Sequence, residues 1–335
     1  MRGAGMQAEN GGNAEEQALA LWLTEAGRCA VRPETLRPLR DGEVLVRSLF
    51  SGISRGTEAL VFHGLVPEGE HERMRGPHMG GDFSFPLKYG YAAVGVIEKG
   101  PAARIGETVF CLHPHQQRFV VAQNEAHALP AGVPPARAVL AANMETALNI
   151  IWDADVLPGD RVAVFGAGVV GALAGWLAAR IPGTRTVLID RDAGRAPLAA
   201  ALDVDFVTPD GLSGEFDVLI NATASDAALA QAIDHAGLEA RIVEASWYGA
   251  RPASLPLGGA FHARRLSIVS SQVGHIPPAR RARWDFSRRL AKALDLLRDD
   301  RLDALISGET AFMEIAAGYR GILADPATLC HRIHY

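Results

Sequence analysis

The sequence predicts a two-domain α/β protein: a β-rich domain into which a doubly wound parallel sheet is inserted. Three observations predict it. A complete strand, glycine-rich turn, helix and strand unit lies between Arg161 and Arg191. Strand and helix then alternate as far as Ser271, and short apolar runs parted by Gly, Pro and Asp fill most of the chain before it. With 335 residues, 48% of them hydrophobic, there is material for two proper cores.

Residues 1–16 are polar and glycine-rich, lack the apolar stretch of a signal peptide, and read as a disordered lead-in. The β-rich domain is expected over 17–142 and again over 272–335. Its strands are the apolar runs ALALWLT, GEVLVRSLF, YAAVGVIEKG, ETVFCL and QRFVVA. Between the second and third runs lies a long polar loop, His63 to Lys88, of a length that suggests function. A long helix then runs from Ala136 to Asp155, with Pro134 and Pro135 at its first turn, where a missing N–H costs least.

The dinucleotide-type domain is expected over 143–271. Val162 to Phe165 reads as a buried parallel strand, followed by glycines at 166, 168 and 171. The first glycine makes the tight turn, the second lets a pyrophosphate approach the backbone, and the third lets helix pack on strand. The N–H groups around Val169 and Val170 then face the phosphates with the positive end of the helix dipole. The next strand ends in Asp190, whose carboxylate suits the two hydroxyls of an adenosine ribose and repels a 2'-phosphate, so NAD is favoured. Arg191 beside it keeps NADP possible. Further strands are expected at 203–208, 216–221, 240–245 and 266–271, with a helix over 227–236. Helices follow over 279–299 and 311–323, and a last strand over 329–335 returns to the first domain.

Composition narrows the classes of partner. The formal charge is -5, and acidic residues outnumber basic ones, so the arginines between Arg280 and Arg289 read as a solvated helix face rather than a nucleic-acid surface. No long uncharged apolar window exists to span a membrane. Only three basic residues, Lys88, Lys99 and Lys292, are lysine. Cys29, Cys111 and Cys330 are widely spaced and odd in number, which points to free thiols. Cys111, His113 and His115 alternate along one strand, yet Pro114 favours a turn with exposed imidazoles over a metal site. A cytoplasmic enzyme with a small-molecule substrate is the expectation.

Three segments carry a resemblance. Ser51-Gly-Ile-Ser-Arg-Gly-Thr-Glu58 resembles Cys-Gly-Ile-Cys-Gly-Thr-Asp, Tyr89-Gly-Tyr-Ala-Ala-Val-Gly95 resembles Pro-Gly-His-Glu-x-x-Gly, and Pro158 to Gly171 resembles a nucleotide turn. All three motifs are those of the medium-chain dehydrogenase/reductase superfamily, the zinc-type alcohol dehydrogenases among them, and the likeness covers nearly the whole chain. Within it the wording Gly-Ile-Ser-x-Gly-Thr-Glu resembles the branch containing bacteriochlorophyllide hydroxyethyl dehydrogenase. The resemblance implies a GroES-like catalytic domain, a Rossmann domain, an NAD(P)-linked oxidoreductase and a homodimer.

The departures are chemical. Where relatives hold a catalytic zinc, the thiolate is replaced by Ser54, the imidazole by Tyr91 and the following acid by Ala92, and only Glu145 resembles a carboxylate near the metal. No zinc is expected. Hydride transfer leaves charge on the substrate oxygen, which hydroxyls must then stabilise. Tyr91 is the first candidate acid/base, with Ser54 and Thr57 as donors or relay and Glu145 near the substrate. Arg55 is expected at the pyrophosphate, Asn221 and Ala222 beside the adenine ribose, and Trp247 and Ser271 at the nicotinamide. His63 is a further candidate for passing a proton to solvent. A zinc-independent dehydrogenase of secondary alcohols is favoured. The alternatives are an NADPH-linked enoyl or quinone reductase and a dinucleotide-binding protein without catalysis.

Overall fold

A computed structural model describes residues 16–335, so the lead-in expected over 1–16 lies outside the described residues except for Glu16. The Rossmann sheet is built as the alternation implies. Strands Arg161–Phe165, Arg185–Ile189, Asp205–Val207, Phe216–Asn221, Ala236–Glu244 and Ser267–Ser270 are all parallel, and in space they run third, second, first, fourth, fifth, sixth. The order reverses beside Arg161–Phe165, which opens a crevice at the carboxyl ends of the strands where ligands of such sheets bind.

Period-two alternation sends neighbouring residues of one strand to opposite faces. Val162 and Val164 join Leu188, Val218, Ile220 and Val243 under helices Ala141–Ala154 and Val169–Ala178. Ala163 and Phe165 join Ile189, Leu219 and Ile242 on the face covered by helix Asp226–His235. Strands buried on both faces are therefore continuous apolar runs, which is how they read in the sequence.

The first domain centres on strand Glu43–Ser54. It pairs antiparallel with Ala93–Lys99 and Arg118–Ala122, and its far half pairs with the C-terminal strand Cys330–His334, Ser51 opposite Ile333. The chain thus returns to its first domain, as expected. A smaller sheet joins Gln17–Glu25, Arg28–Thr35, Leu87–Lys88 and Gly80–Gly81.

Several expectations shift. The long helix breaks at Val139-Leu140 into Pro135–Ala138 and Ala141–Ala154. The helix expected over 279–299 begins only at Phe286, where the Asp285 side chain caps the Arg288 N–H. It packs Leu290, Ala293, Leu294 and Leu297 into the core shared with Ala141–Ala154, so the segment after 272 first serves the Rossmann side. The chain rejoins the first-domain sheet at strand Ile306–Ala311, which the reading missed. Arg28–Thr35 was also missed, because an exposed edge strand with Pro33 and three charges lacks the apolar alternation of a half-buried one.

Candidate functional site

The glycine turn shows three different constraints. Gly166 has φ +98°, the left-handed region, and an added Cβ would lie 3.0 Å from the Thr223 methyl. A Cβ on Gly171 would overlap the Gly166 carbonyl oxygen, so helix Val169–Ala178 packs where only glycine permits. A Cβ on Gly168 would meet nothing within 4 Å, which leaves the space above the turn open. The helix N-terminus has no side-chain cap, and its first intrahelical acceptor, the Gly168 carbonyl, serves the N–H of Ala172. The N–H groups of Val169, Val170 and Gly171 precede that bond and point into the same space.

Asp190 is fixed at the end of its strand by two backbone donors, the Ala167 N–H at 2.8 Å and the Asp192 N–H at 2.9 Å. Each oxygen accepts one of them and keeps lone pairs for further donors. Arg191 is exposed beside it. Ala222 lies against the turn, its carbonyl oxygen 3.1 Å from where a Gly166 Cβ would stand. The Asn221 side chain is fully buried and donates to Glu244 Oε2 at 2.7 Å while accepting from the Thr223 hydroxyl at 2.6 Å. Its work is to tie the fourth and fifth strand ends to Tyr248, whose phenol burial pushes up to about 12. Ser271 likewise gives its hydroxyl to Asp153 at 2.7 Å rather than to the cleft.

From that side of the cleft Trp247 packs against the first-domain cluster that also borders Tyr91. Gly249, at φ +64°, passes near Leu60 and the Leu65 carbonyl. The cleft facing this wall is lined from helix Arg55–Phe62 and from the Tyr89-Gly90-Tyr91 turn. Ser54 occupies the N-cap position of that helix, but its side chain makes no cap hydrogen bond. It instead receives the Asn143 amide at 3.4 Å and, with Thr57, faces the Tyr91 phenol. Burial pushes the Tyr91 phenol up to about 12, and the hydrogen bonds from Ser54 and Thr57 draw it back only in part. Held up in this way, the phenol keeps its proton at neutral pH.

Arg55 opens the same helix, and its guanidinium is lowered by burial and by the like charge of Arg195 from the Rossmann side. Arg195 itself is buried and its guanidinium donates to the Pro326 and Ala327 carbonyls.

Glu145 belongs elsewhere. Its carboxylate is 3.0 Å from Arg289 Nε, with both side chains buried, and the same guanidinium donates to Asn149 at 2.6 Å and to the Val273 carbonyl at 2.5 Å. Burial raises the Glu145 carboxyl, and Arg289 opposes that. A zinc ion in this cleft would find a serine, a protonated phenol and a carboxylate already neutralised by a guanidinium. That donor set does not fit the metal that the fold family implies. Among the described residues no group of three His, Cys, Asp or Glu side chains is placed to hold a metal ion.

Two histidines correct the sequence reading. Neither is exposed: His113 stacks on Phe119 with ring centres 3.8 Å apart, and burial pushes its imidazole well below the ordinary range. His115 is fully buried and lies 3.1 Å from Glu58 and 2.8 Å from the Ser51 hydroxyl. Glu58, 1% exposed, also accepts the Ser54 N–H at 2.7 Å and the Tyr319 hydroxyl at 2.5 Å. Sequence reasoning passed over Glu58, although an acid directly after Thr57 in a helix with an apolar face was the available signal. His63 is exposed on the rim of a cavity of about 620 Å³ lined by Val66, His71, Asp82 and Phe85.

No family model matches the sequence, and no curated protein does so by sequence. Solved structures do match by shape. A short chain alcohol dehydrogenase from Escherichia coli, complexed with NADH, is 17% identical with a TM-score of 0.77, covering 95% of this chain and 99% of that one. L-idonate 5-dehydrogenase from Escherichia coli gives 15% identity and a TM-score of 0.78, covering 96% and 99%. A 2R,3R-butanediol dehydrogenase from Bacillus subtilis gives 16% identity and a TM-score of 0.75, covering 96% and 100%. The chain shares the two-domain fold of these dehydrogenases, a β-rich domain and a Rossmann sheet. No described helix is long and apolar enough to cross a membrane.

Proposed function

We propose that this protein is an NAD(P)-dependent oxidoreductase that moves a hydride between the nicotinamide and a secondary alcohol or its ketone, with hydroxyl groups where relatives use zinc. The observation that carries the reading is the grouping of Tyr91, Ser54 and Thr57 at the cleft, with the phenol held protonated. Structural neighbours named as alcohol, idonate and butanediol dehydrogenases, the first of them solved with NADH, support it.

The Gly166–Gly171 turn and the open N-terminus of its helix suit a pyrophosphate, Arg55 adds positive charge for it, and Asp190 suits the hydroxyls of an unphosphorylated ribose. Bound there, the cofactor supplies or accepts the hydride. The residues of this chain do the rest. Tyr91 donates a hydrogen bond to the substrate carbonyl oxygen and delivers its proton as negative charge builds there. Ser54 and Thr57 orient the phenol, Asn143 steadies Ser54, and Trp247 helps exclude water. The chain also pairs with a second copy along the free edge of the Rossmann sheet at Ser267–Ser270, as the resemblance implies; size-exclusion chromatography would read that directly.

The test is a fluorescence titration with NADH and NADPH followed by turnover of a panel of ketones and enones. Tight NADH binding with ketone reduction supports the proposal. Tight binding without turnover of any carbonyl would overturn it, and NADPH bound tenfold more tightly would overturn the role given to Asp190.

A further inference from the structure

Behind the hydroxyl cluster lies a polar chain that the reaction described above leaves unused. It starts at the last residue of the protein. The Gln116 N–H bonds the Tyr335 phenol, which lies 3.0 Å from Ser51 Oγ. Ser51 Oγ is 2.8 Å from His115 Nδ1, and His115 Nε2 is 3.1 Å from Glu58 Oε2. Tyr319 donates to the same oxygen at 2.5 Å, and the Ser54 N–H donates to Oε1 at 2.7 Å. Ser51, His115, Glu58 and Tyr319 are all almost completely buried. Gly90, between the tyrosines of the cleft turn, is what admits the ring: a Cβ there would stand 2.9 Å from His115 Nε2.

Proton donors and acceptors alternate along this chain. One direction leaves every group paired: Tyr335, accepting from Gln116, donates to Ser51, and Ser51 donates to Nδ1 of His115. The Nε2 proton then goes to Glu58, which receives three donors and gives none. In that direction Glu58 is the common acceptor of His115, Tyr319 and the Ser54 N–H. The groups facing Glu58 from each packed element are Ser54 on its own turn, His115, Tyr319, Tyr89 and Tyr91 of the cleft turn, and Cys330 of the C-terminal strand. None of these is a guanidinium or an ammonium.

We propose that Glu58 is a positioning residue: the Tyr335–Ser51–His115 chain and Tyr319 lock its carboxylate under the Ser54–Thr57 turn, seating the two hydroxyls and setting a negative charge near Tyr91, so that the phenol meets a substrate as a proton donor. The inference rests on the reading of Tyr91 given above. Burial is the larger reason Tyr91 keeps its proton, and the Glu58 charge adds to it.

The test titrates Tyr91 itself. The protein has five tyrosines, so the tyrosinate absorbance of the full chain minus that of Tyr91→Phe isolates one phenol whether or not turnover is detected. In the unmodified protein the Tyr91 difference signal should remain absent through about pH 11. In Glu58→Gln the signal should appear roughly one pH unit lower, and Glu58→Asp, which keeps the charge, should restore the higher value. Tyr91 ionising at the ordinary value of about 10 in the unmodified protein would overturn the inference even if Glu58→Gln does not fold. Identical titrations in folded Glu58→Gln and the unmodified protein would overturn it as well. If no carbonyl is reduced yet the titrations behave as stated, the function fails and the positioning role stands.

Discussion

Replacing Arg289 with methionine isolates the feature that separates this cleft from a metal site. The side chain is 2% exposed and its guanidinium makes three hydrogen bonds, to Glu145, Asn149 and the Val273 carbonyl. Methionine fills much of the volume but leaves the Glu145 carboxylate, 7% exposed, without its counter-charge. Removing one partner of a buried pair costs about 3–5 kcal/mol, far more than the pair adds over two neutral residues. The sign with pH follows from the carboxyl. Burial already raises it in the intact protein and Arg289 opposes the rise, so without Arg289 it goes higher still. An acid raised on folding destabilises the native state above its unfolded value and stops doing so once pH falls below that value. The deficit of Arg289→Met should therefore be full near neutral pH and shrink as pH approaches about 4. Thermal unfolding at about pH 8 and about pH 5, with Glu145→Gln/Arg289→Met beside the single variant, reads both effects. The double variant should recover at least half of the loss. A single variant as stable as the parent, or a deficit that ignores both pH and the second substitution, would refute the assignment of Glu145 to this pair.

Other outcomes follow from the cofactor side. Asp190→Ser should weaken NADH binding and relax discrimination against NADPH in fluorescence titration; unchanged selectivity would place the adenosine ribose elsewhere. Gly168→Ala should fold normally and bind the cofactor at least tenfold more weakly, because its methyl enters the open space above the turn. Gly171→Ala should lose stability even without cofactor, since its methyl collides with the Gly166 carbonyl. Calorimetry of the two proteins without ligand separates these cases, and equal melting temperatures would contradict the division of roles.

The Rossmann half was legible because its physics is local: strands buried on both faces are continuous apolar runs, and glycines are spaced by what each must avoid. The strands Ile306–Ala311 and Arg28–Thr35 were not, since one is half-exposed with polar residues at Ser307, Glu309 and Thr310, and the other is an edge. At the site, Ser54, Thr57 and Tyr91 were found by comparison with the metal ligands they replace, and the structure brings them together. The side-chain partners of Glu145, Asn221 and Ser271 were not legible, for one reason. Each is a polar residue near the right strand or helix end, but its side chain is used up by a partner distant in sequence: Arg289, Glu244 and Asp153 respectively. Sequence position reports the neighbourhood of a group and says nothing of which long-range partner claims it. The same blindness hid Glu58, whose partners His115 and Tyr319 lie 57 and 261 residues away.

The claim that a phenol and two hydroxyls take the place of a metal is tested most directly by NADH-dependent ketone reduction after exhaustive chelation, in the parent protein and in Tyr91→Phe. Turnover in the parent should survive chelation unchanged, and Tyr91→Phe should lose about 10²–10⁴-fold in kcat while still binding NADH. Activity that vanishes with chelation and returns with added zinc, or that persists undiminished in Tyr91→Phe, would contradict it.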